Sequence, residues 1–124
     1  MIKKALTLKQ IAARLDRCTR DASGKLPCPE DFRRISDRVP VYASRSRGII
    51  IKQGNFLLSK PPKGLRVPTR RIPHTDWVVQ PMVARVFLRD AVRAIRCKLP
   101  AGCMTDLHTG NVGWLNGSPV MFDW

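Results

Sequence analysis

Three oxygen-bearing side chains late in the 124-residue sequence have the types and spacing to handle phosphate and a divalent cation: Asp106, Asn111 and Asp123. Transfer of a phosphoryl group asks a protein for little covalent chemistry. It asks for a carboxylate beside the acceptor hydroxyl, oxygen ligands for magnesium, and positioning. Asp106 and Asn111 lie in a segment with no regular period, between a helical stretch and a strand pair, and Asp123 follows the second strand. A short hairpin returns the chain beside its own start, so an acid, an amide and a second acid are expected around one small volume. Such a set suits Mg²⁺ with phosphate oxygens.

The elements that must position this set follow from periodicity. Leu8, Ile11, Ala12 and Leu15 recur at helical spacing, which predicts an amphipathic helix over 7–18 with Thr7 as its N-cap. Asp21-Ala-Ser-Gly-Lys reads as a loop. Proline suits a first helical turn, and Phe32, Ile35 and Val39 then share a face, so a second short helix is expected after Pro29. After Pro40 the period changes. Val41–Ala43, Gly48–Lys52 and Asn55–Lys60 read as short strands, and prolines at 61, 62, 68 and 73 forbid a regular helix across 61–73. Trp77–Gln80 is a further strand, stopped by Pro81. From Met82 to Leu99 the rows Val83/Phe87/Ala91/Ile95 and Ala84/Leu88/Val92 predict the longest helix, with Arg85, Arg89, Arg93 and Arg96 on its solvated face. Asn116-Gly117 between Val112–Leu115 and Pro119–Phe122 supplies the two positive-φ residues of a type I′ hairpin turn. The fold class is α+β, in one domain. Residues 1–39 form a helical part, 40–80 a small antiparallel sheet, and 81–124 a long helix with a terminal hairpin.

Asp106-Leu-His-Thr-Gly-Asn111, followed by Val112-Gly-Trp114 and Phe122-Asp-Trp124, resembles the catalytic loop and metal motif of aminoglycoside phosphotransferases and related protein-kinase-like proteins. It is especially similar to the small kinase-like proteins carried by bacteriophages. The resemblance implies that Asp106 is the catalytic base, that Asn111 and Asp123 hold magnesium, and that His108 is a structural loop residue. Upstream, Trp77–Val83 is similar to the strand and hinge that bind adenine, which gives Gln80 and Met82 a nucleotide-binding role. Tyr42–Gly48 sits where a phosphate-covering loop would be, and Asn55–Lys60 resembles the strand bearing the ATP lysine. Lys60 is the residue so assigned, with Lys52 a competitor for the role. ATP and Mg²⁺ are the implied cofactors.

The pattern also departs from that family. The loop before Ile49 has one glycine, and the only glutamate in the chain is Glu30. A basic, proline-rich stretch stands where a glutamate-bearing helix is expected, and nothing follows Trp124. The sequence therefore reads as a truncated kinase-like chain, with two alternatives for its chemistry: a minimal phosphotransferase using ATP and magnesium, or, as the leading reading, a chain whose catalysis has degenerated.

Charge sets the expected partners. Residues 1–75 hold 18 Lys and Arg against 5 Asp and Glu, whereas 76–124 hold 5 against 4. From Arg45 to Arg71 there are eight basic residues and no acid. Such a surface attracts an acidic protein or nucleic acid. A docking protein acting on a host target is the leading reading, and a nucleic-acid-binding module using Arg45–Arg71 the alternative. The apolar face of the 82–99 helix looks too wide for one hairpin to cover, which adds an expected homodimer. No stretch is apolar enough to span a bilayer. Lys9 and Arg14 interrupt any leader, so the expected location is the cytoplasm, that of a host if the chain is phage-encoded. The spacings of Cys18, Cys28, Cys97 and Cys103 favour idle thiols over a zinc knuckle.

Overall fold

The computed structural model describes residues 5–21, 23–36, 39–54, 62–102 and 107–122. Lys60 with the whole expected strand Asn55–Lys60, Cys103, Asp106, Asp123 and Trp124 lie outside those residues. The chain is mixed α and β and divides into two compact units, Met1–Gly54 with Thr69–Val79 and Asn55–Pro68 with Gln80–Trp124.

In the first unit, helix α1 (Leu8–Arg20) begins at a reciprocal cap. The Thr7 hydroxyl accepts from the Gln10 amide at 3.2 Å, and the Gln10 side chain accepts from the Thr7 amide at 2.9 Å. Two of the unpaired first-turn donors are thereby satisfied from within four residues. The helix lays Ile11, Ala12 and Leu15, all fully buried, against Phe32, Tyr42, Ile51, Ile72 and Trp77. Two polar atoms pin that packing. The Trp77 indole Nε1–H donates to Asp16 Oδ1 at 2.8 Å, and the Tyr42 hydroxyl meets Thr19 Oγ1 at 2.9 Å.

These partners lie in or next to the strands of a five-stranded sheet: β1 (Arg33–Ser36), β2 (Val41–Ser44), β3 (Ile49–Gln53), β4 (Arg70–Arg71) and β5 (Trp77–Pro81). Their spatial order is β1-β2-β3-β5-β4, with antiparallel pairing of β1 to β2, β2 to β3 and β4 to β5. The edge strands β1 and β4 expose Arg33, Arg34, Arg70 and Arg71. The chain passes into the second unit within β5.

Residues 29–36 correct the expected second helix. Phe32 alone reaches the core, while Ile35 and Val39 stay 54% and 48% exposed. Glu30 turns into the left-handed region at φ 50°, and the next residues pair with β2, with a bulge between Arg34 and Ser36. A three-residue apolar row is a weak helical signal, and backbone pairing with an open sheet edge overrides it.

In the second unit, strands β6 (Val112–Leu115) and β7 (Ser118–Met121) form the expected hairpin, with Asn116 at φ 51° and Gly117 at φ 81°. Both flanks of this hairpin are taken. Ala84 exchanges backbone hydrogen bonds with Trp114 at 2.9 and 3.0 Å, and Met121 pairs with the 65–67 segment at 2.8 Å on each side. Helix α2 (Leu88–Lys98) covers one face, burying Ala91, Val92 and Ile95 against Leu65, Val112 and Met121.

Helix α2 begins six residues later than its periodicity predicts. Ala84 is committed to β6, the Trp114 indole donates to the Val86 carbonyl at 2.8 Å, and Phe87 sits at φ 48°. A residue in the left-handed region cannot continue a helix backwards. Leu65 and the hairpin cover Ala91, Val92 and Ile95, so the case for a second copy reduces to Val86 and Phe87, which are 54% and 76% exposed. Among the described residues no helix is long and apolar enough to cross a membrane.

Candidate functional site

The loop that leads into β6 is organised by its own side chains. His108 precedes a single 3₁₀ turn, Thr109–Asn111, and its Nδ1 accepts from the Gly110 amide at 2.9 Å. The His108 amide donates to Asn111 Oδ1 at 3.2 Å. Gly110 is needed here because a Cβ at that position would stand 2.7 and 2.8 Å from two imidazole atoms. The sequence therefore holds Asn111 at 3% exposure in a fixed rotamer rather than on a loose loop. The bond from the His108 amide orients Asn111 Oδ1.

The far end of the hairpin returns to this turn. The Phe122 amide donates to the Asn111 carbonyl at 3.1 Å, one residue before Asp123. Gln80, buried to 1% exposure, donates through Nε2 to the Phe122 carbonyl at 3.0 Å. Arg85 bridges the turn and the returning chain: its guanidinium donates to the carbonyls of Thr109 and Gly110 at 3.1 and 3.4 Å and lies 5.0 Å from the centre of the Phe122 ring. Cation over ring, amide to carbonyl and side chain to carbonyl fix one residue from three directions.

Of the residues singled out from the sequence, Asn111 and Gln80 thus meet at Phe122. Gln80 does so by holding the return strand, a positioning contact that its expected adenine-binding role did not anticipate. Met82 is half-buried in the link from β5 to Ala84. Asp106, Asp123 and Lys60 lie outside the described residues. Periodicity places Arg85 on a solvated stripe, whereas its guanidinium is engaged with two loop carbonyls. No local pattern marks it, since its partners lie 24 and 25 residues away.

In the first unit the expected phosphate-covering segment is occupied from within. Asp31 accepts from the Ser44 hydroxyl at 2.5 Å, from the Ser46 hydroxyl at 2.8 Å and from the Ser46 amide at 2.9 Å. Those hydrogen bonds, first the one from Ser44, hold the Asp31 carboxyl down to about 2. Arg47 forks onto both oxygens of Glu30 at 2.8 Å each and reaches the Leu6 carbonyl. Hydrogen bonding from Arg47 lowers the Glu30 pKa in turn. A loop whose hydroxyl and amide donors already hold a carboxylate does not suit a phosphate.

Lys52 lies on β3 at 8% exposure, at the end of the run Ile49-Ile50-Ile51-Lys52. The Cys18 thiol donates to the Pro27 carbonyl at 3.2 Å, and burial followed by the nearby Cys28 thiol pushes its pKa up, away from reactive thiolate chemistry. Among the described residues no three His, Cys, Asp or Glu side chains gather at metal-binding distance.

Comparison with models of protein families, with curated proteins and with solved structures finds no match to this chain.

Proposed function

We propose that this chain is a reduced kinase-like protein that keeps a magnesium–nucleotide loop and works as a binding protein, docking through its basic surface on an acidic protein. The observation that carries the reading is the anchoring of Phe122 to Asn111, which brings the chain to the residue before Asp123 beside a buried, oriented amide. Protein kinases use the pattern Asp-Leu-x-x-x-Asn for this loop and a later Asp for the metal. Asp106-Leu-His-Thr-Gly-Asn111 and Phe122-Asp123 have those residue types in that order.

A second parallel supports the same reading. Kinases carry their phosphate-pairing lysine on the third strand in a Val-Ala-Ile-Lys run. Ile49–Lys52 on β3 has that apolar-apolar-apolar-Lys form, which favours Lys52 over Lys60. Asn111 and Asp123 would hold the metal. Magnesium, when bound, would neutralise phosphate charge, and the chain's own part is to orient those side chains.

The occupied Ser44–Gly48 loop and the commitment of Glu30 to Arg47 support binding over turnover. Neither the phosphate-covering loop nor the glutamate partner of the ATP lysine is available in kinase form.

Magnesium and ATP together should raise the melting temperature, as any ligand that prefers the folded state must. Asp123→Asn should remove that rise while leaving the ligand-free melting point in place. Incubation with labelled ATP should release no phosphate above a blank. An unchanged melting curve at millimolar ATP and magnesium would overturn the nucleotide reading, and phosphate release that Asp106→Asn abolishes would overturn the binding-only part.

A further inference from the structure

One cavity in the second unit is not used by anything above. It measures about 420 Å³, is open to solvent, and is lined by Arg89, Val92, Arg93 and Arg96 of α2 and by Leu107, His108 and Thr109 of the loop. Among the described residues its lining is one-sided: three guanidinium groups, an imidazole, a hydroxyl and two apolar side chains, with no carboxylate.

Positions 89, 93 and 96 are four and three residues apart, so they fall on one helix face as neighbours. Like charges in that relation destabilise a helix by a few tenths of a kcal/mol per pair. None of the three makes an ion pair or hydrogen bond with a described residue. Their neighbour Arg85, by contrast, is engaged with the Thr109 and Gly110 carbonyls. Across the cavity the loop is rigid, because His108 and Asn111 cap the turn that carries Thr109. A preformed cavity of this size falls in the range that takes a small ligand. Guanidinium forks recognise phosphate oxygens in pairs, and three of them over a hydroxyl fit more than one phosphate group.

We infer that Arg89, Arg93 and Arg96, with Thr109, form a binding site for a compact ligand carrying two or more phosphate groups. Val92 and Leu107 supply an apolar floor against which the non-phosphate part of such a ligand rests. The site does not depend on the nucleotide reading, since it needs neither magnesium nor Asp123 nor Lys52.

Inorganic pyrophosphate is the simplest probe. Calorimetric titration of the full chain with chelator present should show saturable, single-site binding, with orthophosphate weaker by about tenfold or more. Arg93→Gln and Arg96→Gln should each weaken pyrophosphate by about tenfold, the loss of one charge-assisted pair. Arg93→Lys, which keeps the charge and loses the fork, should fall between. The controls are Arg33→Gln and Arg34→Gln on β1, each of which removes as much charge elsewhere and should change the affinity by less than about threefold. Equal losses in the control and cavity variants, or the absence of saturable binding, would overturn the site. A glutamate-rich peptide that outcompetes pyrophosphate would replace the phosphate ligand with an acidic protein segment. Melting curves of each variant separate a lost site from a lost fold.

Discussion

Asn111 and Phe122 are joined backbone to backbone, the Phe122 amide on the Asn111 carbonyl at 3.1 Å, so the start and the end of the β6–β7 hairpin share one hydrogen bond. Everything proposed for the loop depends on that closure, and the closure depends on a turn and a close approach that only glycine permits.

Gly113 and Gly117 test it. A Cβ at Gly113 would stand 2.4 Å from Val83 Cγ2 and 3.0 Å from the Ala84 carbonyl. Gly113→Ala should therefore cost about 1–3 kcal/mol by overpacking. Gly117→Ala meets open space but keeps φ at 81°, so its cost should be about 1–2 kcal/mol from backbone strain alone. Denaturant midpoints measure both. The two should differ in rescue: Val83→Ala should recover part of the loss in Gly113→Ala and none in Gly117→Ala.

Asp31 gives the first unit an acid-sensitive latch. Its carboxyl titrates near 2 in the fold, below the ordinary value of 3.8. A depressed carboxylate contributes its stability above the unfolded pKa and loses it as pH falls through the folded one. The melting temperature should decline between about pH 4 and pH 2, and Asp31→Asn should flatten that part of the profile. A wild-type curve that is level across this window would remove Asp31 from the account.

Asp16 and Trp77 are coupled across 61 residues by the indole hydrogen bond. Trp77 is fully buried, so Asp16→Leu would leave its Nε1–H without a partner at a cost of about 1–3 kcal/mol. Trp77→Phe removes the donor as well. The double variant should then lose less than the sum of the singles, and additivity would show that the bond is not contributing.

Lys52 and Lys60 can be separated directly. If β3 carries the phosphate-pairing lysine, Lys52→Ala should abolish the melting shift given by ATP and magnesium, and Lys60→Ala should preserve it. Each shift is referred to the variant's own ligand-free melting point, because Lys52 is buried to 8% exposure and its removal affects the fold as well.

The parts of the fold that were legible in the sequence are those with a local code. Thr7 and Gln10 cap their helix across three positions, and Asn116-Gly117 dictates its turn without help from elsewhere. Strand β5 and the β2–β3 pair follow from apolar runs bounded by turn residues. The misread segments are those whose state is decided by distant partners. Phe32, Ile35 and Val39 have helical spacing, yet the backbone of Arg33, Arg34 and Ser36 between them pairs with the open edge of β2. Ala84 has helical spacing too, yet Trp114 takes its backbone. In the candidate site, Asn111 and its return strand were legible because one hairpin links them. The grip of Arg85 and Gln80 on Phe122 was not, since it joins segments that no periodicity relates.

The placing of arginines on the outermost strands bears on how the protein survives at high concentration. An unpaired strand edge is a template on which another chain can add, and charged side chains there are a common defence. The five-stranded sheet ends in Arg33 and Arg34 on β1 and in Arg70 and Arg71 on β4, all exposed. Two such edges repel each other, so sheet-to-sheet fibrils are disfavoured even in a partly opened chain. The same four residues make polyanions the hazard: a contaminant that neutralises them removes the repulsion and leaves two strand edges able to stack.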